Sequence, residues 1–497
     1  MLMINIYSYL CRYILLNEMQ SFIQKKFSRT RVSSIDSVGS VTSVSSSDDE
    51  AISKPSLMSK VCNYMKKKAS AFSRLLQMAV KKTQKQHPEK DKLIKKSLLG
   101  KKVVIKTSLN ARIHRCITIR KLIDNLWKNG DRGSGGSSKS SINNINNIEK
   151  EHFGGDGNDG SDGYIVGNKI ILTKNIDVTT GSYGAIYITR INDKIQGILT
   201  KVMSADKENI LETKIMASIT DDIIMKRKSK HFIILFCHSL CQRNIYTNFA
   251  IANYNEATNG DISRLFINYP SIITRDELLY NIIIQIFISI GSFHNITGYI
   301  HNDCHLGNFL YLNNTEYNIR GYYQYVFKCD DGVLEYFYLK SCKYNIMLYD
   351  FGLSKHIRDY DKEYILHRIN NPHIPDPKDY NVKADTMFDP VKKIKFEYLR
   401  ILTLIILRKY PTMKIITYIE RYNAKKLVDI WYMLSEYYED KYNGYKNLKH
   451  IFYYVINICL ANFNTIFTNE LPRGCYVIND IPYELSNDTK LDILGSS

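Results

Sequence analysis

The stretch YIHNDCHLGNFLY, residues 299–311, decides how the rest of the chain is read. It follows an apolar run that predicts a helix over Tyr280–His294, and its second half, FLY, reads as the start of a strand. Asp303 and Asn308 therefore fall in a loop between helix and strand. A carboxylate there can orient an attacking hydroxyl and accept its proton. An amide five positions later can offer its oxygen to magnesium. His301 is expected to brace this loop rather than to react.

Three further motifs lie around it in a telling order. Downstream, IMLYDFGLS (346–354) is a buried-strand pattern that delivers Asp350 to a strand end, 42 residues after Asn308. A carboxylate at that point can hold magnesium between phosphates. Phe351 is expected to pack and set the loop position, while Gly352 permits the turn. Upstream, ILTKVM (198–203) places Lys201 in an apolar strand, where an ammonium must snorkel or meet an anion. It needs a carboxylate to orient it: Glu212 is the candidate, with Glu208 one turn earlier as the alternative. Further upstream, TTGSYGAIY (179–187) sets small residues between two strand-like runs, so the backbone can approach phosphate oxygens. Thr179, Gly181, Ser182, Tyr183 and Gly184 form that loop, and Ile186 follows it as an apolar residue fit to pack on a nucleotide base.

Taken together, the four motifs resemble the signature set of eukaryotic-type protein kinases: Gly-rich loop, strand lysine, catalytic loop and DFG. The chain also looks similar to the divergent serine/threonine kinases of large DNA viruses. The resemblance covers roughly residues 164–460. It implies an α+β, two-lobed protein-kinase-like fold: a small, mainly β N-lobe over about 164–256 and a larger, mainly α C-lobe over about 257–480. It implies ATP and Mg2+ as cofactors, a hinge near Asn253–Glu256, Ala252 at the back of an adenine pocket and Asp261 near the ribose. Asp303 and Lys201 become the catalytic pair; the loop from Thr179 to Gly184, with Ile186, Lys201 and Glu212, becomes the nucleotide site; Asn308 and Asp350 become the metal ligands.

Several departures accompany the likeness. Asn302 stands where such kinases carry an arginine, so it cannot pair with a phosphate on the following loop. His305 replaces a lysine, and DCHLGN also resembles the loop of aminoglycoside- and choline-type small-molecule kinases. No APE motif follows DFG; NNPHIPDPKDY (370–380) is the one Pro-rich candidate. The expected activity is transfer of the ATP γ-phosphate to serine or threonine hydroxyls of proteins. The alternatives are a pseudokinase that only binds and a small-molecule kinase. The tyrosine-rich insert between Asn308 and Asp350 reads as an extra β-hairpin.

Outside these motifs, composition bounds the answer. The chain has 497 residues, 44% of them hydrophobic, enough for a large core and too many for wholesale disorder. The net charge of +19 is concentrated: Lys54 to Arg132 carries 22 Lys/Arg and 4 Asp/Glu, while the remainder is nearly neutral. This segment is expected to be a solvated, partly helical basic arm, with apolar spacing at Leu75, Met78 and Ala79 and at Ile119, Leu122, Ile123 and Leu126. A polyanion, nucleic acid or anionic membrane, is its expected partner. Residues 1–53 end in a Ser-rich tract (32–50) expected to be disordered, a passive tail or a phosphorylated one. Residues 133–163 read as a flexible Gly/Ser/Asn linker, so the folded domain is expected over 164–480 and removal of 1–140 is expected to leave its activity intact. Ten cysteines without a CxxC pair argue for free thiols in a reducing compartment, with zinc at Cys237, His238 and Cys241 as the minor alternative. The apolar runs Ile282–Ile290 and Ile401–Leu407 look too short to span a membrane and are expected to be buried helices. The expected location is intracellular, the host cytoplasm or the virion if the source is a virus.

Overall fold

The structure is a computed structural model that describes residues 107–128, 145–152, 162–166, 170–174, 185–191, 194–243, 248–360, 390–409, 418–437, 444–486, 491 and 493. The Ser-rich tract, most of the basic segment, the loop from Thr179 to Gly184 and the Pro-rich stretch 370–380 lie outside those residues.

A strand-rich part comes first. Helix α1 (Leu109–Lys128) leads into β1 (Ile145–His152), β2 (Asp162–Val166), β3 (Ile170–Lys174), β4 (Ala185–Ile191) and β5 (Lys194–Ser204). Helix α2 (Lys207–Ser218) follows, then β6 (Leu235–Arg243) and β7 (Asn248–Glu256). The strands close on themselves in the order β1-β2-β3-β4-β5-β7-β6. Neighbours run antiparallel except at the closure, where β1 meets β6 in parallel with Ile145 opposite Leu240. Asp206 caps α2 by accepting from the Asn209 N–H at 2.9 Å, which satisfies one of the free donors of its first turn.

Two expectations are corrected here. The folded unit does not begin at Tyr164, because α1 and β1 belong to it. The linker placed at 133–163 thus contains a strand, and the end of the basic segment is a docked helix rather than a solvated arm. The cause is visible in α1. Ile113, Cys116, Ile119 and Ile123 recur at helical spacing and are buried. Arg112 is buried beside them, with Nη2 2.7 Å from Glu256 Oε2, Nη1 2.8 Å from the Lys230 carbonyl and Nη2 2.6 Å from that of Phe232. Arg120 donates to the Phe236 carbonyl and to Asp221. Three arginines that composition counts as solvated charge, Arg115 with its bond to the Gly197 carbonyl included, are spent on holding the helix down.

Residues 257–259 connect β7 to the second part. The stretch Asn253–Glu256, where a hinge was expected, is the last part of β7, and its Glu256 is held by Arg112. Next come β8 (Gly260–Asp261), α3 (Ile262–Asn268), α4 (Ser271–Thr274), α5 (Asp276–Thr297) and β9 (Tyr299–Ile300). The remaining strands are β10 (Phe309–Asn313), β11 (Gly321–Lys328), β12 (Leu334–Lys340), β13 (Tyr344–Leu348) and β14 (Lys355–His356). Helices α6 (Pro390–Lys409), α7 (Tyr418–Glu436) and α8 (Gly444–Asn462) precede the short strands β15 (Phe467–Thr468), β16 (Tyr476–Val477) and β17 (Tyr483–Glu484). The insert is a hairpin, β11 against β12 from Tyr322 opposite Lys340 to Lys328 opposite Leu334, extended by β15, β16 and β17.

Helix α5 is long and apolar enough to cross a membrane, yet it is buried throughout its apolar window. Asp276 and Glu277 suit its first turn electrostatically, and Gly298 ends it at φ 76°, a left-handed conformation that glycine adopts without a Cβ clash. Cys116, Cys237, Cys304, Cys329, Cys342, Cys459 and Cys475 are free thiols.

His231, fully buried, has Nδ1 2.9 Å from the Ile346 carbonyl and Nε2 2.8 Å from the Tyr325 hydroxyl. Burial, reinforced by Lys230, holds its pKa down from 6.5 to about 3. Between those values the unfolded chain binds the extra proton, so stability falls as pH drops through that window. At pH 5 the expected loss from this residue is about 2 kcal/mol. Urea unfolding at pH 7 and pH 5 should show that loss reduced in His231→Gln; equal pH dependence in both proteins would refute it.

Candidate functional site

The site forms where β5, α2, the loop after β9 and the end of β13 converge. Lys201 lies on β5, opposite Ile186 of β4 on one side and Asn253 of β7 on the other. Its Nζ is 2.8 and 2.9 Å from the two carboxylate oxygens of Glu212 on α2, and 2.9 Å from Asp350 Oδ1. Glu208, the alternative partner, is exposed on the first turn of α2. Helical spacing turns Glu212 inward, and its side chain is 1% exposed. Burial opposes the Lys201 charge, but Tyr349, Glu212 and Asp350 outweigh it and raise its pKa above the ordinary value. The same burial pushes Glu212 up to about 7 against the pull of the ammonium.

Among the described residues three non-glycines have positive φ, and two of them are here: Asn302 at 64° and Asp350 at 66°. Such backbone costs about 1–3 kcal/mol and persists where surrounding contacts hold it. At Asn302 those contacts are explicit. Its N–H donates to Glu397, its Nδ2 donates to the Leu353 carbonyl at 3.0 Å, and its Oδ1 accepts from the Tyr360 hydroxyl. The neutral side chain thus ties down Leu353 and Tyr360, in the segment after Asp350, directly. Phe351 is buried against Phe293 and His301, at ring distances of 4.9 and 5.4 Å. Gly352 leaves room for Glu212: a Cβ there would come within a tight 3.3 Å of Glu212 Oε2.

Asp303 follows Asn302 with its side chain 28% exposed. Its Oδ2 lies 3.4 Å from His305 Nε2 and 3.3 Å from Asn308 Nδ2, and its Oδ1 lies 3.2 Å from Arg400 Nη1. Asn308 also donates to the Asp303 carbonyl at 2.9 Å. The two loops are stitched together: Asn308 O accepts from the Tyr349 N–H at 3.0 Å, and His301 Nε2 is 2.9 Å from the Tyr349 carbonyl. His301 is fully buried and braces the loop.

Comparison with known proteins adds little to this geometry. No protein-family model and no curated protein matches the chain. Among solved structures, the crystal structure of the BubR1 kinase domain is similar over 70% of this chain and 97% of its own, at 12% identity and a TM-score of 0.32. Overlap this loose assigns neither a family nor an activity.

The structure brings Lys201, Glu212 and Asp350 into direct contact, and Asp303 to Asn308. Ile186 is half-buried across the β4–β5 ladder from Lys201. Ala252 is fully buried within β7, in register with Val202. Asp261 caps α3 by accepting from the Arg264 N–H at 2.8 Å. Glu397 and Arg400 were not anticipated. The one signal was the spacing of Glu397 and Arg400 within the mostly apolar helical run Phe396–Leu407, three residues apart and so on one helix face.

Magnesium suits the donor set. Asn308 spends its Nδ2 on Asp303, which leaves its amide oxygen as an available acceptor, and Asp350 supplies a carboxylate with its side chain 34% exposed. Two hard oxygen ligands from the protein, with phosphates and water completing the shell, are what that ion prefers.

Proposed function

We propose that this chain is an ATP- and Mg2+-dependent phosphotransferase with a protein-kinase-like fold, acting on serine or threonine hydroxyls of proteins. The observation that carries the reading is the contact of Lys201 with both Glu212 and Asp350, beside an independently braced Asp303. Lysine held by a buried carboxylate presents a fixed cation to nucleotide phosphates. Asp303 accepts the proton of the acceptor hydroxyl as its oxygen bonds to the γ-phosphorus and the bond from that phosphorus to the ADP oxygen breaks. Magnesium held by Asn308 and Asp350 would neutralise charge on the phosphates. Stabilisation by preorganised charge is the main catalytic effect expected of such a site. The neutral contacts of Asn302 favour activity without phosphorylation of the loop after Asp350.

His305 beside Asp303 favours a second reading, a small-molecule acceptor. Purified full-length protein incubated with labelled ATP, Mg2+ and a panel of basic proteins, acidic proteins and small alcohols separates the cases. Label on protein serine or threonine supports the proposal. Label on the alcohols supports the second reading, and no label supports a binding role alone.

We also propose that residues 54–106, with 16 Lys/Arg against 2 Asp/Glu, bind a polyanion. Binding to nucleic acid should weaken steeply between 50 and 200 mM salt as counterion release loses its advantage. Deletion of 1–105 should abolish it. Undiminished binding by the shortened protein would count against this role.

A further inference from the structure

We infer that Arg400, on α6, is a positioning residue for Asp303, holding its carboxylate in the orientation that leaves one oxygen lone pair for the acceptor hydroxyl. This deepens the proposed function and rests on it.

The argument starts from α6. Glu397 and Arg400 are three residues apart and so share one face of the helix. Glu397, 2% exposed, is fastened on one side to His294 Nε2 at 2.7 Å and on the other to the Asn302 N–H. Arg400, one turn later, reaches Asp303 Oδ1. Two consecutive loop residues are thereby fixed to two consecutive turns of one half-buried helix, at the point where Asn302 bends the backbone into a left-handed conformation. A carboxylate offers about four lone-pair sites. His305, Asn308 and Arg400 take up three of those on Asp303, whose side chain stays 28% exposed, so one remains for an acceptor hydroxyl. The guanidinium is a rigid planar fork that keeps its charge, so it constrains direction better than a flexible ammonium. Its side chain is 34% exposed, at the edge where a bound acceptor would exclude water and strengthen the pairing. The charge that Asn302 does not supply to this loop is supplied from a helix 97 residues further along the chain.

The test uses the full chain, with steady-state transfer to whichever acceptor the panel identifies. Arg400→Ala should lower kcat roughly tenfold to a hundredfold, the scale of a misplaced reacting group. The KM for ATP should stay within about twofold, because Arg400 faces the acceptor side. Arg400→Lys should retain an intermediate rate, and millimolar guanidinium should restore part of the kcat of Arg400→Ala. In an Asp303→Asn background the Arg400→Ala change should cost little more, since the group it positions is gone. Thermal melting identifies a folding defect, in which case Arg400→Met, with similar length and no charge, carries the test. Wild-type kcat in a folded, uncharged variant, or a full further loss in the Asp303→Asn background, overturns the inference. Wild-type transfer by Asp303→Asn itself would instead overturn the reading of the site.

Discussion

Asp303→Asn is expected to lower phosphate transfer by about 10²-fold or more while nucleotide affinity stays within a few-fold. Asparagine is nearly isosteric and keeps one acceptor oxygen. It can still meet Arg400 at 3.2 Å or His305 at 3.4 Å, so the loop should hold its shape. What is lost is the negative charge that, in the proposed function, receives the hydroxyl proton. The ammonium of Lys201 is fixed by Glu212 and Asp350, neither of which the substitution touches. Binding and chemistry should therefore separate: a fluorescent nucleotide titration unchanged, a labelled-phosphate assay nearly silent. Lys201→Ala should show a different pattern, since removing it leaves Glu212 buried without its partner and loosens phosphate positioning. Transfer at the wild-type rate by Asp303→Asn would mean that HNDCHLGN is not the catalytic loop.

Deletion of residues 1–140 is expected to abolish folding, whereas deletion of 1–105 should leave a stable protein. The longer deletion removes α1. Ile113, Ile119 and Ile123 would leave their buried sites, each worth about 1.5–3 kcal/mol of apolar burial. Glu256, 2% exposed, would lose the arginine that neutralises it. Breaking a buried ion pair from one side costs about 3–5 kcal/mol. Against a typical domain stability of about 5–15 kcal/mol the sum is decisive. The start of the described chain is also stitched to the helix-rich part, through reciprocal bonds between Thr107 and Thr315 and one from Thr107 to the Asn313 carbonyl. Arg112→Ala alone should lower stability by about 3–5 kcal/mol, and adding Glu256→Gln should recover part of it, because the orphaned charge is removed. Circular dichroism melts of the two deletions and the two variants measure this. A 1–140 deletion with the melting temperature of the full chain would sink the account of α1.

Both expectations draw on contacts of very different legibility. Lys201, Asp303, Asn308 and Asp350 were legible because each depends on its immediate neighbours: an apolar strand around the lysine, a helix-to-strand loop around the acid and amide, and a strand end before DFG. The insert hairpin and the buried helix α5 were legible for the same reason, since alternation and apolar run length are local. Helix α1 was half legible. Its spacing at Ile119, Leu122 and Ile123 marked a helix, but the surrounding lysines and arginines made it look solvated.

The sequence by itself determined which side chains could carry chemistry and in what order along the chain, because those constraints act through local backbone geometry and side-chain type. Only the tertiary structure decided which of them meet. It chose Glu212 over Glu208, because burial selects one face of α2. It drew α1 and β1 into the fold, because Arg112 finds Glu256 across 144 residues and closes a gap that composition cannot reveal. It set Arg400 against Asp303 across 97 residues, through the packing of α6 beneath the loop. Contacts of that separation are fixed by how apolar faces stack, and a polar residue lying between such faces carries no local mark of the partner it will meet.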